Sequence, residues 1–199
     1  MTKDVVVVAE HFRGQLNEIT FELLGKGREL AGALGGKVKA VLLGHQMEGL
    51  PGQLAAADTV MVADAPELRE FTADGYGMVL ETWLRETSPR LVLLGSTSVG
   101  LDLLGLLSAR AGFPCLDNCT RLQVQDGSIR ATSQLYGGKI FVEVKVPEET
   151  TLVAVVPGAL PAEPGKTAGR PEVQSLGIPA SLAAARTKFR TLIEPPAGG

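Results

Sequence analysis

A loop of small and hydroxylated residues, Gly95-Ser96-Thr97-Ser98-Val99-Gly100, follows the apolar run Leu91-Val92-Leu93-Leu94 and precedes a helical stretch. In open α/β sheets, ligands sit beyond the C-terminal ends of strands. Small residues there let backbone N–H groups approach an anion, and a helix N-terminus attracts it. Gly95, Ser96, Thr97 and Ser98 are therefore the candidate nucleotide- or anion-binding residues. The competing reading is a tight strand-to-helix turn whose Ser and Thr cap the helix. Asp102 favours the turn, because a carboxylate in the first helical turn would already hold the favourable electrostatic position.

Other reactive residue types are sparse. The first apolar run ends at Glu10, with no G-x-G-x-x-G and no Walker sequence after it. A carboxylate at that spot repels phosphate, which argues against a conventional dinucleotide or triphosphate site. Glu10 then makes a polar contact to a loop or partner, or stands as an exposed loop carboxylate. Cys115 and Cys119 are separated by three residues, whereas redox dithiols usually use two. Only His11 and His45 could join them around a metal, too few ligands in that region. Small buried or half-buried thiols are the expectation. Nothing resembles the Gly-x-Ser-x-Gly of a hydrolase. Tyr136-Gly137-Gly138-Lys139 reads as a turn into a strand, with its Tyr and Lys facing a partner or its Tyr packed.

These residues need elements to position them. Residues 5–9, 38–43, 59–62 and 91–94 are apolar runs that read as strands buried on both faces of a parallel sheet. Between them, Leu16, Ile19, Leu23, Leu24, Leu30, Ala31 and Leu34 recur at helical spacing, with Asn17 as N-cap and Gly35-Gly36 as stop. Further helices are expected over 49–57, 67–86 and 103–111. The alternation implies right-handed crossovers and a doubly wound sheet. After Pro114 the texture changes to period-two alternation. Residues 122–125 and 129–132 flank Asp126-Gly127, a strong hairpin dipeptide. Ile140, Val142, Val144 and Val146 alternate again, and residues 151–156 form a last buried strand. The expected fold is three-layer α/β/α with a mainly parallel sheet and antiparallel strands late in the chain. Residues 1–157 form this domain. Residues 158–199 are rich in Pro and Gly and read as an extended arm or inter-domain linker, with one short strand over 187–193.

Bulk properties agree with one domain of ordinary size. A chain of 199 residues buries a real core without metal or disulfide help. Aromatics are only 5 %, so that core is aliphatic. The net charge is −3 with no basic stripe, which argues against nucleic-acid binding. No apolar stretch is long enough to span a membrane, and the first apolar run is too short for a signal-peptide core. A cytoplasmic location with free thiols is the simplest reading.

Several motifs then line up in order: Ala9-Glu10-His11; Gly95-Ser96-Thr97-Ser98-Val99-Gly100-Leu101-Asp102-Leu103 with Ser108-Ala109-Arg110; Asp117-Asn118-Cys119-Thr120; Tyr136-Gly137-Gly138-Lys139; Val155-Val156-Pro157-Gly158-Ala159-Leu160-Pro161; and Arg186-Thr187-Lys188. The ordered set covers nearly the whole chain. It resembles the first domain of electron-transfer flavoprotein alpha subunits. One departure is Leu101, where that family usually has Arg. Its loss removes a multidentate donor toward a partner or an anion.

The resemblance implies an adenine-nucleotide alpha-hydrolase-like fold that packs on a beta-type subunit as a heterodimer. It implies FAD in the assembled protein only, held mostly by a second domain. The sequence stops near where that domain would begin, so the flavin domain is a separate chain, a missing part of a longer one, or absent by nature. Acyl-CoA-type dehydrogenases would be redox partners through the complex. The chain would be an electron-carrier subunit domain rather than a catalyst on its own. The alternative, from a different class, is a small adenine-nucleotide-binding module with AMP near residues 95–98.

Overall fold

The structure, a computed structural model, describes residues 2–193. The Pro195-Pro196 pair of the expected arm lies outside the described residues. In chain order, β1 (Val5–Val8) leads into a small hairpin, β2 (His11–Phe12) and β3 (Gln15–Leu16), then α1 (Glu18–Leu34). Next come β4 (Val38–Gly44), α2 (Leu50–Gln53), β5 (Thr59–Asp64), a 3₁₀ turn at Pro66–Leu68, and α3 (Ala73–Thr87). They are followed by β6 (Leu91–Gly95), α4 (Ser98–Ala111), β7 (Cys115–Gln125), β8 (Ser128–Leu135), β9 (Ile140–Lys145) and β10 (Thr151–Val155). A turn at Glu163–Gly165, β11 (Glu172–Ser175) and a turn at Ala180–Ala184 complete the elements among the described residues.

The main sheet has nine strands in the order β11-β5-β4-β1-β6-β10-β7-β8-β9. From β11 through β7 every neighbour is parallel, while β8 is antiparallel to both β7 and β9. The valines of β1 explain the layering. Successive strand residues point to opposite faces. Val5 and Val7 pack in one core with Leu23, Leu24 and Leu30 of α1. Val6 and Val8 pack in the other with Leu80 and Leu84 of α3 and Leu103 and Leu107 of α4. The expected three-layer α/β/α fold with late antiparallel strands is the observed one.

Some boundaries differ from the sequence reading, for local reasons. The helix expected over 67–86 breaks into the Pro66–Leu68 turn and α3, because Thr72 caps α3 by accepting the Gly75 amide at 3.2 Å. The helix expected over 49–57 shortens to α2. The helix expected over 103–111 begins instead at Ser98, since Thr97 is its N-cap. Residues 187–193 form no strand; β11 already fills the β5 edge of the sheet. The Asp126-Gly127 turn is as read, with both residues at positive φ (51° and 73°) joining β7 to β8. No helix among the described residues is long and apolar enough to cross a membrane.

Candidate functional site

The chain passes from β1 to β4 on one side and later returns to β6 on the other, so the strand order reverses between β1 and β6. Such a switch point opens a crevice at the C-terminal strand ends. Glu10 follows β1 there and Gly95 ends β6. The glycines are dictated by close approach. A Cβ on Gly100 would overlap the Gly95 carbonyl oxygen, and one on Gly95 would lie 2.9 Å from Glu10 Oε1. Only glycine lets the strand turn this tightly into α4.

Thr97 is the hinge of the arrangement. Its Oγ1 accepts the Gly100 amide at 3.0 Å, the N-cap bond. The same hydroxyl donates to the Glu10 carboxylate, 2.9 Å from each oxygen. Glu10 also accepts from the Asn17 side chain and the Gly95 amide. Its main chain is pinned in turn, since its amide donates to Thr20 Oγ1 at 2.9 Å and its carbonyl accepts the Asn17 amide at 2.9 Å. Glu10 is buried, only 5 % exposed. Burial pushes its carboxyl above the usual carboxylate range, against hydrogen bonds that pull it down.

Of the four candidate loop residues, Gly95 and Thr97 thus face Glu10. The Ser96 amide donates to the Val155 carbonyl at 2.7 Å and its hydroxyl to Asp117 Oδ1 at 3.1 Å. Ser98 is exposed in the first turn of α4. Asp102 needs correction. Because α4 starts at Ser98, Asp102 lies in its second turn and is exposed, and no acidic residue occupies the first turn. The carboxylate at this helix start is Glu10, which follows β1, far away in sequence but the neighbour of β6 in the sheet. Asn17 stands at the N-cap of α1 as expected but makes no capping bond, its side chain being turned to Glu10.

A second buried carboxylate holds the next loop. Glu22 of α1 accepts the Gly158 amide at 2.9 and 3.0 Å and the Leu160 amide at 3.2 Å. This ties the Pro157-Gly158-Ala159-Leu160 turn to the same end of the domain as Glu10.

The remaining candidates are dispersed. His11 Nε2 donates to the Leu43 carbonyl at 2.8 Å, and His45 Nδ1 lies 2.9 Å from Asp64 Oδ1. Among the described residues no three His, Cys, Asp or Glu side chains gather as a metal site. Cys119 is buried, with its Sγ 3.1 Å from Ser133 Oγ, and burial raises its thiol pKa. Cys115 is exposed, which corrects the expectation of buried or half-buried thiols. It begins β7, and an irregularity with Asn118 at φ 52° separates the two cysteines.

The late hairpin carries the feature that the sequence reading did not locate. Ile140, Val142, Val144 and Val146 share one face of the β9 stretch. Val146 is fully buried, Val144 is half-buried, Val142 is 38 % exposed and Ile140 is 48 % exposed. Leu135, paired with Ile140, is also exposed. One continuous apolar row therefore starts in the core and runs out to the surface. Phe141 on the opposite face is 59 % exposed, and Tyr136 in the turn is 77 % exposed. Tyr136 therefore stands in solvent and is not packed. The signal available in sequence was the unbroken triplet Ile140-Phe141-Val142, which satisfies neither a one-faced strand nor a fully covered one.

Residues 5–181 match the model of the electron transfer flavoprotein domain. The chain is 35 % identical over 157 residues to Protein FixB of Clostridium saccharobutylicum, covering 77 % of this chain and 47 % of that protein. It is 29 % identical over 201 residues to the electron transfer flavoprotein subunit alpha of Bacillus subtilis, covering 100 % of this chain and 61 % of that one. The acryloyl-CoA reductase electron transfer subunit beta of Anaerotignum propionicum is 37 % identical over 124 residues, 61 % of this chain and 34 % of that one. The chain thus spans less than two thirds of the length of these relatives. With its fold and its ordered motifs, the match across residues 5–181 makes this chain a member of the electron transfer flavoprotein family, of the alpha-subunit type.

Proposed function

We propose that this domain is a docking and scaffolding module of an electron-transfer flavoprotein that pairs with a beta-type subunit through the β8–β9 hairpin. The observation that carries the reading is the apolar row from Val146 to Ile140, which leaves the core uncovered at an open sheet edge. Contiguous exposed apolar surface of this kind marks an interaction site, and an open strand edge invites pairing. The opposite edge differs: β11 is short and begins with Glu172. Tyr136 in the turn and Phe141 on the other face of β9 supply the large anchors that interfaces favour at their centres, so in this reading the partner grips both faces of the edge strand.

In this reading, electron transfer is a property of the assembly and the chain supplies geometry rather than catalysis. FAD is held mostly by another domain or chain. The pairing of the Gly95 amide and Thr97 hydroxyl with Glu10 supports that placement, since these donors would otherwise face a phosphate. A buried carboxylate at the switch point does not fit the pyrophosphate of FAD, and it weighs equally against AMP at residues 95–98. Redox partners of the acyl-CoA dehydrogenase type are in keeping with the relative named for acryloyl-CoA reductase. The test is co-expression with a beta-type subunit followed by size exclusion. A stable 1:1 complex is expected, and separate elution of the two chains removes the docking reading.

A further inference from the structure

The segment after β10 wraps the domain from one helical layer to the other. Near its start, the Gly158 and Leu160 amides are held by Glu22 of α1. The Glu163–Gly165 turn then crosses α1, where Lys166 bridges to Glu18 at 2.6 Å and a Cβ on Gly165 would overlap the Phe21 carbonyl. Beyond it, β11 pairs with β5 at the sheet edge. Leu182, 2 % exposed, packs into the core beneath α3 on the far side. The segment is thus a strap around one edge of the sheet.

Its end is fixed by one side chain. Asp74, 5 % exposed in the first turn of α3, accepts the Arg186 amide at 2.6 Å through Oδ2. Its Oδ1 accepts from Arg110 Nη2 of α4 at 2.7 Å. The Thr187 amide also reaches it. An aspartate beside a helix N-terminus could cap its own helix, but Thr72 already fills that role in α3. Asp74 is therefore spent on the strap and on Arg110. Past Thr187 the described chain, through Ile193, has no regular structure and is exposed.

We propose that Asp74 is a latch that closes the strap and thereby sets the direction in which residues 188–193 leave the domain. The inference stands on the fold alone and is independent of the docking reading. The strap also walls a cleft of about 370 Å³ between Glu67, Glu70 and Thr72 on one side and Leu182, Thr187 and Phe189 on the other. The latch therefore governs the width of that cleft as well as the path of the chain.

Hydrogen exchange and limited trypsin digestion of the whole chain test this. In the wild type, the Arg186 amide should be protected and cleavage after Lys188 and Arg190 slower than in a variant without the latch. In Asp74→Ala the Arg186 amide should exchange about tenfold faster or more, the scale of a lost charge-assisted hydrogen bond. Cleavage after Lys188 and Arg190 should rise, while cleavage at exposed Lys166 and exchange in β1 and β6 stay unchanged. Equal exchange at Arg186 in wild type and variant overturns the latch. If Asp74→Ala unfolds the domain, Arg186→Pro decides. It removes the donated amide while leaving Asp74 and its bond from Arg110 in place, and Ala185 at ψ 134° is compatible with a following proline. Faster cleavage after Lys188 and Arg190 in Arg186→Pro supports the latch, and wild-type cleavage overturns it.

Discussion

The Thr97 hydroxyl donates to Glu10 across 87 positions of sequence while accepting the amide of Gly100, three residues on. One side chain thus caps α4 and joins the ends of β1 and β6. At the strand ends where an α/β sheet usually receives a ligand, the Thr97 hydroxyl and the Gly95 amide are paired with the chain's own carboxylate.

This pairing has a pH signature. Burial holds the folded-state pKa of Glu10 above its ordinary value. A group of this kind contributes stability that is fully present below the unfolded pKa and is lost as pH rises through the folded pKa. Glu10→Gln, which carries no charge, should therefore gain stability relative to the wild type between about pH 4 and pH 7. Urea denaturation at both pH values measures the change. A gap that moves the other way would mean that the bonds from Thr97, Asn17 and Gly95 outweigh burial.

Gly100 is expected to tolerate no side chain. A Cβ there meets the Gly95 backbone rather than a flexible side chain, so strand and helix must separate. Gly100→Ala should lose about 2 kcal/mol or more, in the range of overpacked cores. Gly105→Ala, on the open face of the same helix, is the control and should gain slightly from helix propensity. Thermal unfolding of both variants checks the contrast.

Asp74 should act with the opposite sign to Glu10. Its hydrogen bond from Arg110, then that from the Arg186 amide, hold its carboxyl below the ordinary value. Its contribution is present above the unfolded pKa and is lost as pH falls through the folded one. The stability difference between wild type and Asp74→Asn should be full near neutrality and shrink below about pH 4. A pH-independent difference would assign the effect to shape rather than charge.

Much of the fold was legible because its strands are buried on both faces. Runs such as Val5-Val6-Val7-Val8 have few other readings, and the glycine stop of α1 sits where expected, with Gly35 at φ 71°. Helix starts were less legible. Thr97 and Thr72 cap through local bonds to amides three residues on, which hydrophobic periodicity does not weigh; the capping reading of the 95–100 loop is the one that places the start of α4. Within the candidate site, the loop was visible but its occupant was not. Nothing local distinguishes an exposed Glu10 from a buried one, and the difference lies in Thr97 and Gly95, far along the chain. The apolar hairpin was hidden for another reason. Alternation at Ile140, Val142, Val144 and Val146 gives the face but not how far the helical cover extends over it.

The β8–β9 hairpin is the proposed contact with the beta-type subunit, and a binding titration tests it most directly. The wild-type chain and Phe141→Asp would each be titrated with a beta-type electron-transfer flavoprotein subunit by calorimetry. Phe141 is 59 % exposed, so the substitution leaves the folded chain intact, which circular dichroism verifies. A 1:1 complex with wild type, weakened at least about thirtyfold in Phe141→Asp, is the expected result for a central anchor. Equal affinity of the two chains would contradict it and place the partner on another surface.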